Sequence, residues 1–215
     1  MPKTPSHLST ILQILSKKNK TSMLGSLHAK DPYTVLIATM LSARSRDETT
    51  AQIIPELMHA YPTPKTLASA KREDVERIIK KSGFYRQKTK NIQAVAKIIY
   101  ENYKNHVPES LEALMLLPGV GRKTACCVLV YAHNIPEIPV DVHVQIISRR
   151  LGWTNETSPD RINNDLKRKI PRRLWLDINE LFVSHGKSTC TTFRPKCSTC
   201  SIAKYCQRRG VKNPR

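Results

Sequence analysis

Leu117-Pro118-Gly119-Val120-Gly121-Arg122-Lys123-Thr124-Ala125 is the stretch on which the reading of this chain turns. Two glycines one residue apart permit positive φ and leave backbone N–H groups bare. They stand between a short apolar segment, Ser110 to Leu116, and a longer one, Arg122 to Ala132. The spacing therefore predicts two helices joined by a very tight turn, with Ser110 capping the first. A helix that opens directly after Gly121 offers backbone N–H groups and the positive end of its dipole, a combination that holds an anion such as a phosphate. The alternative is an ordinary inter-helix turn. The basic character of the chain favours the phosphate clamp, which grips without reading sequence. Lys123 falls in the first turn, where the helix end and Arg122 both disfavour an ammonium and so raise the fraction of nucleophilic amine. Taken on its own, Lys123 reads as a phosphate-binding lysine before it reads as a nucleophile. Asp141, if near, would stabilise positive charge developing on a sugar ring.

Helical signals continue on both sides and no stretch alternates with period 2, so the fold class is all-α. Asp31-Pro32 reads as an N-cap with proline at the first helical position. The helix it opens, through Tyr33 to Leu41, is apolar nearly all round and belongs in a core. Further helices are expected from about Arg72 to Lys81, from near Arg86 through Ile99, and from Ser158-Pro159-Asp160 onward. Another, striped by Leu174, Ile178, Leu181 and Phe182, should end before Gly186. Pro55 lies inside Thr49 to Ala60, where it should bend the chain or mark a late helix start.

Lys and Arg total 36 against 17 Asp and Glu, a formal charge of +19, which points to a polyanionic partner, most plausibly nucleic acid. The excess recurs in Lys17-Lys18-Asn19-Lys20, Arg86-Gln87-Lys88-Thr89-Lys90, Lys167-Arg168-Lys169 and Arg172-Arg173, in several patches instead of one tail. Met1-Pro2-Lys3-Thr4-Pro5 lacks the apolar stretch of a secretory signal, and no run approaches the roughly 20 apolar residues of a membrane span. A soluble protein working inside the cell, in a cytoplasmic setting around prokaryotic nucleoid DNA and without a membrane partner, is the expectation.

In that setting six cysteines are thiols or metal ligands and not a disulfide framework. Cys190, Cys197, Cys200 and Cys206 are spaced C-x6-C-x2-C-x5-C in a segment too poor in core residues to fold without a cross-link. Four converging thiolates suit zinc or a [4Fe-4S] cluster. Zinc knuckles usually pair two C-x2-C units and only one is present, so the spacing leans toward the cluster without excluding zinc. Cys126 and Cys127 sit mid-helix in an apolar run and read as core.

Together these residues resemble the endonuclease III family in order and spacing: Leu117 to Ala125, then Val140-Asp141-Val142-His143, then the cysteine tail. Leu41-Ser42-Ala43 with Asp47, and Gly83-Phe84-Tyr85, match as well, so the likeness runs from about Asp31 to Cys206. The resemblance implies a two-domain helix-hairpin-helix DNA glycosylase fold with an iron-sulfur cluster loop. One domain would be the helical block 26–135; the other would combine 1–25 with 136–215. It also implies that the four cysteines hold a [4Fe-4S] cluster. The partner it implies is double-stranded DNA containing damaged pyrimidines or abasic sites, bound by a monomer. Lys123 would attack C1′ of a flipped nucleotide with help from Asp141, and β-elimination would follow. Gly119, Val120, Gly121, Arg122 and His143 would contact DNA. Phe84 stands where the family places an apolar wedge, with a core residue as its alternative. Arg44 stands where many relatives carry Gln in Leu-Ser-Ala-Gln, a departure that bears on opposite-base preference. Monofunctional mismatch glycosylases share the hairpin, the aspartate and the cysteines but typically lack a lysine at position 123. A non-catalytic module that only grips phosphate is the rival from another class, and predicts salt-sensitive binding without cleavage.

Overall fold

The computed structural model describes residues 4–18, 25–27 and 31–215, and all secondary structure among them is helical. Among the described residues there are eleven α-helices: α1 Leu8–Ser16, α2 Pro32–Ser42, α3 Asp47–Ala60, α4 Pro64–Ala68, α5 Arg72–Ile79, α6 Tyr85–Asn102, α7 Leu111–Met115, α8 Arg122–His133, α9 Val142–Arg150, α10 Pro159–Lys169 and α11 Trp175–Ser188. The chain divides into two compact units, one of Met23–Ile135 and one of Met1–Ser22 with Pro136–Arg215.

The first unit is built around α2. Asp31 caps this helix by accepting the Thr34 N–H at 2.9 Å, and Val35, Leu36, Ile37 and Leu41 are fully enclosed. They pack against α8, α3 and α6 through Val128, Leu57, Ile92 and Val95. Burying each such side chain contributes about 1.5–3 kcal/mol, so the apolar α2 anchors the elements that carry the hairpin. α3 begins at Asp47, two residues ahead of the expected span, and keeps Pro55 inside it, so the late start does not occur. Its acidic first turn, Asp47 and Glu48, favours the early N-terminus.

In the second unit Ile11 and Leu15 of α1, Val144 and Ile147 of α9, Ile162 and Leu166 of α10, and Ile178 and Phe182 of α11 share one core. The Trp153 and Phe182 rings pack at a tilt of 39°, with 5.4 Å between centroids. Only Ile202 of the cysteine-rich tail is buried there, with Cys190, Cys200, Tyr205 and Cys206 partly buried at its edge. α11 does not stop before Gly186 but runs to Ser188. A Cβ at Gly186 would enter the His143 ring, so the glycine is a close-approach point between α9 and α11 and not a terminator.

Two of the basic patches read from the sequence are partly tied up inside the protein, although Arg86 and Lys90 stay exposed. Lys88 is buried, and Lys167-Arg168-Lys169 is engaged: Lys167 pairs with Glu137 at 2.6 Å, while Lys169 and Arg168 meet Asp165 at 2.7 and 3.1 Å. Helical spacing of three and four residues from Asp165 creates the second set, a pattern that a count of charges does not reveal. Lys17 and Lys18 are exposed, whereas Asn19 and Lys20 lie outside the described residues.

Candidate active site and cysteine centre

The hairpin is formed as its spacing predicts. Ser110 Oγ accepts the Ala113 N–H, and the Leu117 and Val120 N–H groups donate to the Leu114 and Leu117 carbonyls at 3.1 Å each, folding the turn between α7 and α8. Gly119 holds φ +75°, and a Cβ there would run into the Asn91 side chain of α6. Asn91 in turn accepts a hydrogen bond from Gln87 at 2.9 Å. Gly121 is the N-cap of α8 and has no side chain to cover the first-turn N–H groups. Val120 is buried beneath the turn, Arg122 half-buried, and Lys123 exposed in the first turn of α8. The N-terminus of α8, whose dipole favours an anion, and the Lys123 side chain thus share one helix end.

Beside the hairpin in the same unit, one pocket is lined by Met40, Arg44, Phe84, Gln87, Lys88, Asn91 and Gly119. Arg44 and Phe84 both hold left-handed backbone, at φ 53° and 59°. Non-glycine residues there cost roughly 1–3 kcal/mol each, and such strain concentrates at functional surfaces. Phe84 is 65% exposed, which excludes the core role that its sequence position allowed.

In the other unit Asp141 is the N-cap of α9, its Oδ1 accepting the Val144 N–H at 2.8 Å. The cap fixes the rotamer of a half-buried carboxylate. Neither α9 nor the cap was anticipated, although Asp followed by Val142-His143-Val144 carries the signal of a capping acid before an apolar turn. His143 is half-buried with its ring against Gly186 of α11.

The four tail cysteines line one pocket whose other walls are mostly apolar side chains such as Ile147, Leu151, Ile202, Ala203 and Val211. Arg150, buried in α9, spans the segment: Nη1 donates to Cys190 Sγ at 3.2 Å and to the Thr191 carbonyl at 2.9 Å, and Nη2 to the Thr192 carbonyl at 2.7 Å. The Arg208 N–H points at Cys206 Sγ at 3.4 Å, and Cys200 Sγ lies 3.6 Å from His185 Nε2. Burial raises the thiol pKa of Cys190, Cys200 and Cys206, and repulsion among the four thiolates adds to it. Ionised together, they need a cation to share. Among the described residues no group of three or more His, Cys, Asp or Glu side chains is arranged to hold a metal ion.

The model of the HhH-GPD superfamily of base excision DNA repair proteins matches residues 37–172. Endonuclease III of Thermotoga maritima is 44% identical over 183 residues, covering 84% of this chain and 86% of that one. The Synechocystis enzyme of the same name is 38% identical over 199 residues, 92% and 91% of the two chains. The chain belongs to the endonuclease III family. It is accordingly a base excision repair enzyme of the DNA glycosylase and AP lyase class. Among solved structures, a non-covalent endonuclease III–DNA complex superposes with a TM-score of 0.84 at 30% identity over 94% of each chain. A trapped covalent endonuclease III–DNA intermediate gives 0.83 at 30% identity, over 94% and 95%. A thermostable thymine-DNA glycosylase at 22% identity and 0.83 shares the fold. Among the described residues of this endonuclease III family member, no helix is long and apolar enough to cross a membrane.

Proposed function

We propose that the chain removes oxidised or ring-saturated pyrimidines from double-stranded DNA and nicks the resulting abasic site, with Lys123 as nucleophile. The observation that carries this reading is a solvent-exposed lysine in the first turn of α8, immediately after the hairpin. The flipped nucleotide presents C1′. The Lys123 amine bonds to C1′ as the glycosidic bond breaks and the base departs with a proton. The C1′–O4′ bond then opens, O4′ taking a proton, and the iminium this leaves acidifies C2′–H; loss of that proton breaks the C3′–O bond and releases the 3′ strand with its 5′-phosphate, and water then hydrolyses the imine to return the free lysine. Asp141, oriented by its own cap, stabilises positive charge on the sugar and relays protons. The hairpin N–H groups hold a phosphate, while Arg44, Phe84 and His143 contact the duplex around the lesion. The protein acts as a monomer on nucleoid DNA, within the cytoplasm. Residues 26–135 form the hairpin-bearing domain, and 1–25 with 136–215 form the domain that carries Asp141 and the cysteines.

Cys190, Cys197, Cys200 and Cys206 would hold a [4Fe-4S] cluster. An all-cysteine donor set with hydrogen bonds to two sulfurs, in apolar walls, suits that group. When bound it braces a segment that contributes one buried apolar side chain to the core. Incubation with a duplex containing thymine glycol tests the reading by separating base release from strand cleavage on a gel. Release plus cleavage supports it. Release without cleavage indicates a monofunctional glycosylase, and tight binding with neither indicates a module that only grips phosphate.

A further inference from the structure

Lys88 belongs to a run of basic residues, yet it is 8% exposed and turned into the protein. Its ammonium donates to the Leu41 carbonyl oxygen at 2.7 Å and to Ser45 Oγ and Ser82 Oγ at 2.8 Å each. Three N–H donors thus meet three acceptors, the full capacity of the group. The two serine hydroxyls are also 2.9 Å from one another, closing a small polar ring. These acceptors are not scattered. Leu41 and Ser45 flank Arg44, and Ser82 precedes Phe84 by two residues. Leu41 lies in the last turn of α2, and the segments that follow Leu41 and Ser82 carry the two left-handed residues of the pocket, with the Arg44 guanidinium over the Phe84 ring.

We propose that Lys88 is a positioning residue, whose three hydrogen bonds clasp the C-terminal end of α2 and the turn after it to the Ser82–Phe84 loop so that Arg44 and Phe84 stand together for lesion-containing DNA. The inference rests on the glycosylase reading above. An apolar side chain would fill the same space without the cost of desolvating an ammonium. That cost is visible in Lys88, whose pKa burial lowers to about 8. What an apolar residue does not supply is three donors on one atom, reaching acceptors 47, 43 and 6 positions away in the chain. Loops held in strained backbone need such a tie, because the unstrained conformations are otherwise preferred.

The test compares wild type, Lys88→Met and Ser45→Ala as full chains. Affinity is measured for a duplex carrying a tetrahydrofuran abasic analogue and for the undamaged duplex, and 2-aminopurine opposite the analogue reports unstacking by its fluorescence. Lys88→Met is expected to weaken analogue binding about tenfold and to abolish the fluorescence rise, while undamaged-duplex affinity changes less than about twofold. Ser45→Ala, which removes one acceptor, is expected to lose about threefold on the analogue alone. Should Lys88→Met fail to fold, Ser45→Ala decides. Variants that match wild type on both duplexes overturn the clasp, as does an equal loss on both, which marks general damage to the fold. A wild type that does not distinguish the analogue from undamaged DNA overturns the glycosylase reading and the clasp with it.

Discussion

The Arg44 guanidinium lies 5.4 Å from the centroid of the Phe84 ring, although the two residues come from loops forty positions apart and each has a left-handed backbone. A cation over an exposed aromatic face contributes about 0.5–1 kcal/mol, less than the about 1–3 kcal/mol that each of the two left-handed residues costs. The pair is therefore not there for stability. It presents a flat apolar face beside a cation, a surface suited to a gap in a base stack.

Phe84→Ala accordingly leaves thermal unfolding within about 1 °C of wild type, since an exposed ring contributes little to the core. The same substitution lowers the rate of base release about tenfold or more, because stacking on a base is worth about 1–3 kcal/mol. Single-turnover kinetics beside a melting curve checks both. A large loss of stability with unchanged excision would return Phe84 to a packing role.

Gly119→Ala is expected to be harmful on two counts. Alanine at φ +75° is strained, and its methyl group enters the Asn91 side chain. A loss of about 2 kcal/mol in stability follows, with weaker binding to any duplex as the hairpin distorts. Pairing it with Asn91→Ala relieves the collision but not the φ strain, so denaturant titration should show partial recovery.

Asp165 links stability to pH. Burial by itself would raise its pKa, but hydrogen bonds from Lys169, Thr154 and Arg168 together outweigh it and hold the carboxyl below 3.8. A depressed folded-state pKa means that the unfolded chain takes up the proton first as pH falls. The stabilisation is therefore complete above the ordinary carboxylate range and fades as pH drops through the folded value. Asp165→Asn is expected to lower the melting temperature at pH 7 by several degrees, corresponding to about 1–2 kcal/mol, and to lose that difference progressively as pH falls through the depressed folded-state value of Asp165. An unchanged gap across the range would contradict the linkage.

The cysteine centre is checked by composition. Purified protein should contain about four iron atoms and about four acid-labile sulfides per chain. Cys200→Ser should lose the visible absorbance and expose the tail after residue 188 to protease. One zinc per chain with no sulfide would overturn the cluster.

The chemistry was more legible in the sequence than the supports beneath it. The hairpin glycines, the helix after them and the cysteine spacing are local patterns, and local geometry follows from them directly. α2 was readable because an all-apolar segment behind Asp31-Pro32 has few other uses. α9 was missed because its apolar stripe is short, and Asp141 therefore went unrecognised as a cap. Gly186 misled because a glycine chosen for close approach to His143 looks the same in sequence as one that ends a helix. Lys88 was assigned to a charged surface because its acceptors, Leu41, Ser45 and Ser82, are drawn around it only by the packing of α6 on α2.

The central claim is that Lys123 forms a covalent bond to the damaged nucleotide, and borohydride trapping on a thymine glycol duplex measures it most directly. Wild type should be captured as a protein–DNA adduct whose attachment maps to Lys123, and Lys123→Ala should give none while still binding the duplex. An adduct that persists in Lys123→Ala, or none with wild type despite base release, would contradict the assignment.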